Sequence, residues 1–267
     1  MTGLTSRVLV GVVGLPVVLG LVWLGGWWLF ALVAVAGVVA VHEFVTMARP
    51  LRPLAPALYA GVVLALVGAE TGGIVWMLGG FLATFVLAFV LNSFAETRPP
   101  ATVAVGATIF GAAWIGFGLG FLLLLRELEP KGRLLVFTVL LTVFAADTFA
   151  YFGGRLLGRH KLAPTLSPGK TWEGFVVGSL AGVFVSFVAL CDTRSTYLTI
   201  WEAVVLGIVV VLAAAAGDLF ESALKRDMEV KDTGRLLGGH GGILDRVDSL
   251  LFAGIAAYYL VLAFGYG

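Results

Sequence analysis

Residues 200–227 read IWEAVVLGIVVVLAAAAGDLFESALKRD, and this stretch decides the fold. Its first part, 200–220, is apolar over the roughly 20 residues that a helix needs to cross a bilayer. Asp218 lies near the end of this apolar run, and charged residues follow from Glu221 onward. The stretch therefore predicts both a membrane span and a polar site at one end of that span.

The composition extends this prediction to most of the chain. Of 267 residues, 60% are hydrophobic and 12% are charged, whereas a soluble domain carries roughly 25% charged residues. A chain of this length cannot hide so much apolar surface in a core of its own. The net charge of +1 implies no attraction to nucleic acid, and the single cysteine, Cys191, excludes an intrachain disulfide. The sequence thus predicts an all-α, polytopic membrane protein in contact with the lipid bilayer.

Apolar runs predict about nine transmembrane helices. The runs are 8–24, 27–41, 54–68, 74–91, 103–125, 134–153, 174–190, 200–220 and 248–264. The second and third runs are short and the turn after the first is tight, so a re-entrant pair is the alternative there. Long polar loops occur only in the second half. This pattern predicts scaffold helices in 1–133 and a catalytic region with a cytoplasm-facing polar cavity in 134–267.

Lysine and arginine predict the orientation, because cytoplasmic loops are enriched in them. With the N-terminus inside, 13 of the 17 basic residues face the cytoplasm, and the other 4 are Arg126, Lys131, Arg133 and Arg194. This bias places the polar loops 154–173 and 221–247 in the cytoplasm. With nine spans the C-terminus is outside, and the expected location is the inner (plasma) membrane of a cell.

Carboxylates inside apolar runs are costly, so they point to function. Asp147, Asp218 and Asp248 fall at similar depth along their helices, and they would repel one another unless a cation lies between them. The alternative is that these carboxylates are at helix ends and reach the interface. His42 and Glu43 end the second run, and an interfacial cap is favoured there over a ligand pair.

The sequence SPGKTWE at 167–173 contains a Gly-Lys-Thr triplet. The full phosphate-loop motif needs a glycine five positions before the second glycine, where this chain has Pro164, so the nucleotide-hydrolase fold is rejected. Ser167, Lys170 and Thr171 nevertheless precede a helix, and a helix N-terminus with such side chains suits phosphate. A basic interfacial loop is the alternative interpretation.

The loop 221–247 combines carboxylates, basic residues and glycines. One helical face carries Asp218, Glu221, Ser222 and Lys225. Asp245 and Asp248 lie three positions apart, and the glycines around His240 allow a bulky anion to approach the backbone. Carboxylates from two helices suit Mg²⁺, and the basic residues suit phosphate groups. This combination favours phosphoryl or nucleotidyl transfer over a merely solvated loop.

Two motifs carry a family resemblance. One is Ser222-x-Leu224-Lys225-Arg226, four residues, Lys231-Asp232, then His240-Gly241-Gly242-x-x-Asp245-Arg246-x-Asp248; the other comprises Asp147-Thr148, Tyr151, KLAP at 161–164 and SPGKTWEG at 167–174. Both resemble conserved blocks of the phosphatidate cytidylyltransferases, also called CDP-diacylglycerol synthases. One departure is Gly238, where many members of that family carry proline.

The resemblance implies that CTP and phosphatidate react to CDP-diacylglycerol and pyrophosphate with a divalent cation, expected to be Mg²⁺. It assigns the metal to Asp218 and Asp245, and it leaves a second cation and a homodimer open. The further expected catalytic residues are Lys225, Arg226, Lys231, Asp232, His240 and Asp248, the nucleotide-binding residues are Ser167, Lys170, Thr171 and Glu173, and the additional cavity residues are Asp147, Tyr151, Glu221 and Ser222. Glu221 is expected to lie nearer bulk water than Asp218.

Two rival classes are less well supported. A secondary transporter usually has paired internal repeats with broken helices, and no second copy of the Asp218–Asp248 pattern occurs in the chain. Another lipid-phosphate enzyme, such as a polyprenol kinase or a CDP-alcohol phosphotransferase, is the second rival. The Asp-Gly-x-x-Ala-Arg motif of the latter is missing from the sequence.

Overall fold

A computed structural model of the chain describes residues 14–94, 100–190, 198–234 and 241–266. The chain packs as two compact units. The N-terminal unit comprises Met1–Leu124 together with Asp227–Val247, and the C-terminal unit comprises Leu125–Arg226 together with Asp248–Gly267. The packing thus groups the loop after residue 226 with the first helices, and the division predicted at 133/134 stays a prediction.

Helices make up nearly all of the described residues. In chain order they are α1 (Leu15–Leu24), α2 (Gly26–Met47), α3 (Ala55–Ser93), α4 (Ala101–Gly111), α5 (Gly118–Glu127), α6 (Gly132–Leu157), α7 (Trp172–Leu190), α8 (Ile200–Asp227) and α9 (Leu244–Ala263). A 3₁₀ turn, Arg49–Leu51, follows α2, and a π-helical segment, Ala112–Phe117, joins α4 to α5. The all-α, polytopic class predicted from composition is confirmed.

Within the described ranges, seven helical segments are long and apolar enough to cross a membrane. The predicted count of about nine is therefore not confirmed. One reason is that the described part of the first run forms only the ten-residue helix α1, which is too short to span a bilayer. The other is that the runs 54–68 and 74–91 form the single 39-residue element α3.

Gly73 divides α3 into two antiparallel arms. Its backbone is non-helical, with φ of 69°, a region that glycine adopts without steric cost. The arms then approach so closely that a Cβ atom on Gly68 would lie 2.7 Å from the Met77 nitrogen, and one on Gly80 would lie 2.6 Å from the Ala65 nitrogen. The two predicted runs thus correspond to the two arms of α3, one on each side of Gly73.

In the C-terminal unit, α6 and α7 pack closely along a stripe of glycines. Gly174, Gly178 and Gly182 recur every fourth residue on α7. A Cβ atom on Gly174 would lie 2.6 Å from the Ala150 carbonyl oxygen of α6, and one on Gly182 would lie 3.1 Å from that of Thr142. Small residues at this spacing are the usual means by which membrane helices approach each other. The packing fixes the start of α7 beside the second half of α6.

A β-hairpin interrupts the helices in the region predicted as a polar loop. Strand β1 (Lys161–Ala163) pairs antiparallel with β2 (Ser167–Thr171), with Lys161 opposite Thr171. The Trp172 N–H donates to the His160 carbonyl at 2.9 Å and closes the base of the hairpin where α7 begins. The hairpin therefore holds Ser167, Lys170 and Thr171 in a defined backbone conformation.

We expect Gly178→Ala to destabilise the protein by about 1–3 kcal/mol, because the added Cβ would overlap the Ala146 carbonyl oxygen and force α6 and α7 apart. Melting followed by gel filtration in detergent measures the effect. Gly79→Ala is the matched control, since nothing lies within 4 Å of its Cβ position and alanine is the better helix former. An unchanged melting temperature in Gly178→Ala would contradict the close packing.

Candidate active site

A cavity of about 480 Å³ lies within the C-terminal unit. Its polar lining comes from α6, the β-hairpin, α7 and α8. The polar side chains are Asp147, Tyr151, Arg155, Ser167, Lys170, Thr171, Ser179 and Asp218. Six of these eight, all except Arg155 and Ser179, were predicted from the sequence as site residues, so the structure brings together residues that lie far apart in the chain.

The α6 wall of the cavity follows from helical spacing. Asp147, Tyr151 and Arg155 lie four positions apart, which places them on one face of α6. The Arg155 Nη1 group donates to the Tyr151 hydroxyl at 3.2 Å. Sequence reasoning used Arg155 only to predict the orientation, although its spacing from Asp147 and Tyr151 was a signal that could have placed it in the site.

The part of the cavity wall formed by the hairpin ends at Thr171, immediately before α7 begins. The Thr171 hydroxyl oxygen accepts from the Gly174 N–H at 3.1 Å and so satisfies one donor of the first turn. Glu173 accepts from the Arg159 N–H at 3.0 Å and contacts the His160 ring nitrogen Nδ1 at 2.6 Å. Within the described residues, Glu173 is not part of the cavity lining. Its nucleotide-binding role stays a prediction, and its observed contacts secure the base of the hairpin.

An ion pair joins the hairpin to α8. The Lys170 ammonium group contacts the Asp218 carboxylate, and both side chains are about one-quarter exposed, 27% and 29%. The sequence predicted that Asp147, Asp218 and Asp248 would repel one another unless a cation lies between them. Lys170 places a positive charge next to Asp218, and it lies in the same cavity as Asp147.

Two further carboxylates, Glu221 and Asp248, are buried next to Asp218. Glu221 is 1% exposed, and its Oε2 atom accepts from the Lys225 ammonium at 2.5 Å. Asp248 on α9 is 7% exposed and interacts with both Glu221 and Asp218. Gly217 allows this approach, because a Cβ there would lie 2.6 Å from the Asp248 carbonyl oxygen. The expectation that Glu221 lies nearer bulk water is therefore wrong, since α9 covers that face of α8.

The other predicted residues of loop 221–247 have different surroundings. The Arg226 Nε group donates to the Leu166 carbonyl of the hairpin turn at 3.2 Å, and Ser222 is buried one turn after Asp218. Lys231 and Asp232 are exposed. The predicted His240 lies outside the described residues.

Asp245 belongs to the N-terminal unit, where it holds the start of α9. Its Oδ2 atom accepts from the Thr233 N–H at 3.0 Å, the Thr233 hydroxyl at 2.9 Å and the Gly242 N–H at 2.7 Å. Asp218 belongs to the C-terminal unit, so the joint metal site of these two carboxylates stays a prediction. Thr233 was not predicted as a site residue. The only signal for it in the sequence is its position directly after Lys231-Asp232.

Glu43 also contacts the start of α9. It is 4% exposed, and its carboxylate accepts from the backbone N–H groups of Ile243 at 3.0 Å and Leu244 at 2.8 Å. Glu43 therefore caps the start of α9 from a buried position, and its location at the membrane interface stays a prediction. His42, its neighbour, is exposed and contacts the Tyr59 hydroxyl at 3.2 Å.

The fit of a metal can be judged from the donor atoms. In the described part of the chain, no three His, Cys, Asp or Glu side chains are arranged as a ready metal site. Mg²⁺, however, commonly takes one or two protein carboxylates and leaves its remaining positions to water and phosphate oxygens. Asp147 and Asp218 line one cavity, and this donor set is compatible with such an ion.

The fold and the cavity define a class, a multi-pass membrane protein with a polar site. The basic groups of that site suit phosphate, and its carboxylates suit a metal ion. The sequence profile of the Cytidylyltransferase family matches residues 5–264, and the chain belongs to that family. Two relatives, from Mycobacterium bovis and Mycobacterium tuberculosis H37Rv, are 35% identical over 97% of this chain and 88% and 82% of their own lengths. A relative from Staphylococcus haemolyticus is 30% identical over 92% of this chain and 94% of its own length. All three are named phosphatidate cytidylyltransferase.

Lys170→Met should lower the melting temperature in detergent, because it leaves the Asp218 carboxylate without its ammonium partner. Asp218→Asn removes that charge. The stability lost in the double variant Lys170→Met/Asp218→Asn should therefore be smaller than the sum of the two single losses, by about 0.5–3 kcal/mol. Lys161→Met, an exposed lysine of β1, is the control. Strictly additive losses would show that the ion pair contributes nothing to stability.

Proposed function

We propose that this protein transfers the cytidylyl group of CTP to phosphatidate, forming CDP-diacylglycerol and pyrophosphate in phospholipid biosynthesis. The observation that carries the proposal is the cavity of the C-terminal unit, where Arg155 and Lys170 lie with Asp147 and Asp218 inside a bundle of apolar helices. Membership of the cytidylyltransferase family and the names of the relatives support the same reaction.

The chemistry places modest demands on the protein. A phosphate oxygen of phosphatidate attacks the α-phosphorus of CTP, the bond from that phosphorus to the bridging oxygen of the β-phosphate breaks, and pyrophosphate leaves with the bonding electrons. The nucleophile is already an anion, so no strong general base is needed. The barrier comes from repulsion between phosphates and from charge on the leaving group, which electrostatic stabilisation lowers.

We assign the roles of these side chains from their positions in the cavity. Lys170 and Arg155 line the cavity and neutralise phosphate charge, while Ser167 and Thr171 offer hydroxyl groups beside them. We assign Lys225, Arg226 and Lys231 to the lipid phosphate or the leaving group. In the structure Lys225 pairs with Glu221, and Arg226 donates to the hairpin turn.

A divalent cation, Mg²⁺, belongs to the proposal through the family resemblance, with Asp218 and Asp245 as its carboxylates. When bound, it would offset charge on the phosphates. Asp147 shares the cavity with Asp218 and is the next candidate ligand.

The proposed setting is the inner (plasma) membrane, with about nine spans and both polar loops on the cytoplasmic side. With Cys191 replaced by serine, we expect Arg159→Cys to be protected from an impermeant thiol reagent applied to the outer face of intact cells. Glu129→Cys, in the turn between α5 and α6, is the matched exposed position and should react. Labelling of Arg159→Cys from outside would contradict this topology.

The decisive experiment supplies labelled CTP and phosphatidate to the purified protein in detergent micelles. We expect CDP-diacylglycerol and pyrophosphate in equal amounts, formed only with a divalent cation and abolished by excess chelator. Full activity in chelator would remove the metal from the mechanism. Protein that ignores CTP but moves a solute into vesicles would favour the transporter class.

The same assay compares Asp218→Asn with Asp227→Asn. We expect Asp218→Asn to lose turnover while remaining folded, because asparagine keeps the shape of the side chain but loses its charge. Asp227 ends the same helix and is exposed, so its substitution should have little effect. Near-normal turnover in Asp218→Asn would remove this residue from the site.

A further inference from the structure

Glu43 is a buried carboxylate that the proposed reaction does not use. It lies on α2, near the end of that helix, and is 4% exposed. Both of its oxygens accept hydrogen bonds from the start of α9: Oε1 from the Ile243 N–H at 3.0 Å and Oε2 from the Leu244 N–H at 2.8 Å. A side chain of α2 thus satisfies backbone donors that the first turn of α9 would otherwise leave without partners.

The same carboxylate fixes the segments on either side of His240. A Cβ atom on Gly234 would lie 2.5 Å from Glu43 Oε1, and one on Gly242 would overlap the carboxylate directly. The backbone at both positions therefore passes so close to Glu43 that a larger residue there would displace the carboxylate. This contact explains two of the loop glycines by packing against a carboxylate.

Thr233 connects Glu43 to Asp245. The Thr233 hydroxyl lies 3.4 Å from Glu43 Oε2 and 2.9 Å from Asp245 Oδ2. Asp245 Oδ2 also accepts from the backbone of Thr233 and Gly242. Both carboxylates thus contact the same two segments, at Thr233 and at the start of α9. A shift of Glu43 would therefore shift the backbone that carries Asp245.

We infer that Glu43 is a positioning residue: by holding the start of α9 and Thr233, it sets the place of the Asp245 carboxylate for binding a divalent cation. The inference rests on the proposed function, which assigns the metal to Asp245. Residues that orient metal ligands without touching the metal have large effects on affinity, because a displaced ligand loses its geometry.

The test is Glu43→Gln, which keeps the length of the side chain but directs an amide N–H₂ at a backbone N–H. The readouts are Mn²⁺ binding measured by electron paramagnetic resonance without substrates, and the dependence of initial rate on Mg²⁺. We expect the Mn²⁺ dissociation constant and the half-saturating Mg²⁺ concentration to rise by about 10- to 100-fold. The KM for CTP should change far less, and Glu43→Asp should recover part of the affinity.

His42→Gln is the matched control, because His42 is adjacent on α2 but exposed and directed at Tyr59. If Glu43→Gln fails to fold, Thr233→Val against Thr233→Ser carries the test, since only serine keeps the shared hydroxyl. Wild-type Mn²⁺ affinity in folded Glu43→Gln or Thr233→Val overturns the inference, and so does a wild-type protein that binds no Mn²⁺. If the wild type binds Mn²⁺ but does not convert CTP and phosphatidate, the proposed function fails, and Mn²⁺ binding alone still decides the role of Glu43.

Discussion

A carboxylate at the end of an apolar helix needs a cation nearby, and the ion pair between Asp218 and Lys170 meets that requirement in this protein. The rest of the C-terminal unit is arranged so that the two can meet. Lys170 lies on a β-hairpin whose base is held by Glu173, and the turn of that hairpin is bound by Arg226 from the helix of Asp218. The hairpin leads directly into α7. The glycines of α7 allow close contact with α6, the helix that carries Asp147.

This arrangement shows how close packing substitutes for the hydrophobic effect inside a membrane. Lipid tails are as apolar as leucine, so helices gain little from burying leucine against one another and associate instead through small residues. On α7 the contact surface consists of Gly174, Gly178 and Gly182, followed by Ser186, whose hydroxyl donates to the Ala203 carbonyl of α8 at 2.9 Å. The large side chains Leu180 and Phe184 are 67% and 64% exposed, as expected for side chains that face lipid.

The sequence predicted the helices and most of the cavity, because hydropathy and helical spacing are local properties. Asp147 and Asp218 were identified as carboxylates in apolar runs, Lys170 by its place before a helix N-terminus, and Tyr151 through the family resemblance. The hairpin was not predicted, since its strands are short and Ser-Pro-Gly-Lys has little strand propensity. The burial of Glu221 was also missed, because it depends on α9 and on the close approach permitted by Gly217. The role of Glu43 depends on partners about 200 positions later in the chain, which no local pattern shows.

Charge balance connects the cavity to its proposed ligands. A polyphosphate that attracts Lys170 competes with Asp218 for the same ammonium group, and an uncompensated carboxylate in a poorly solvated cavity is costly. A divalent cation that arrives with the phosphates removes this conflict, because it supplies positive charge to the carboxylate and to the phosphates together. The pairing of Lys170 with Asp218 is therefore a physical reason to propose that a nucleotide and a metal ion bind together at this site.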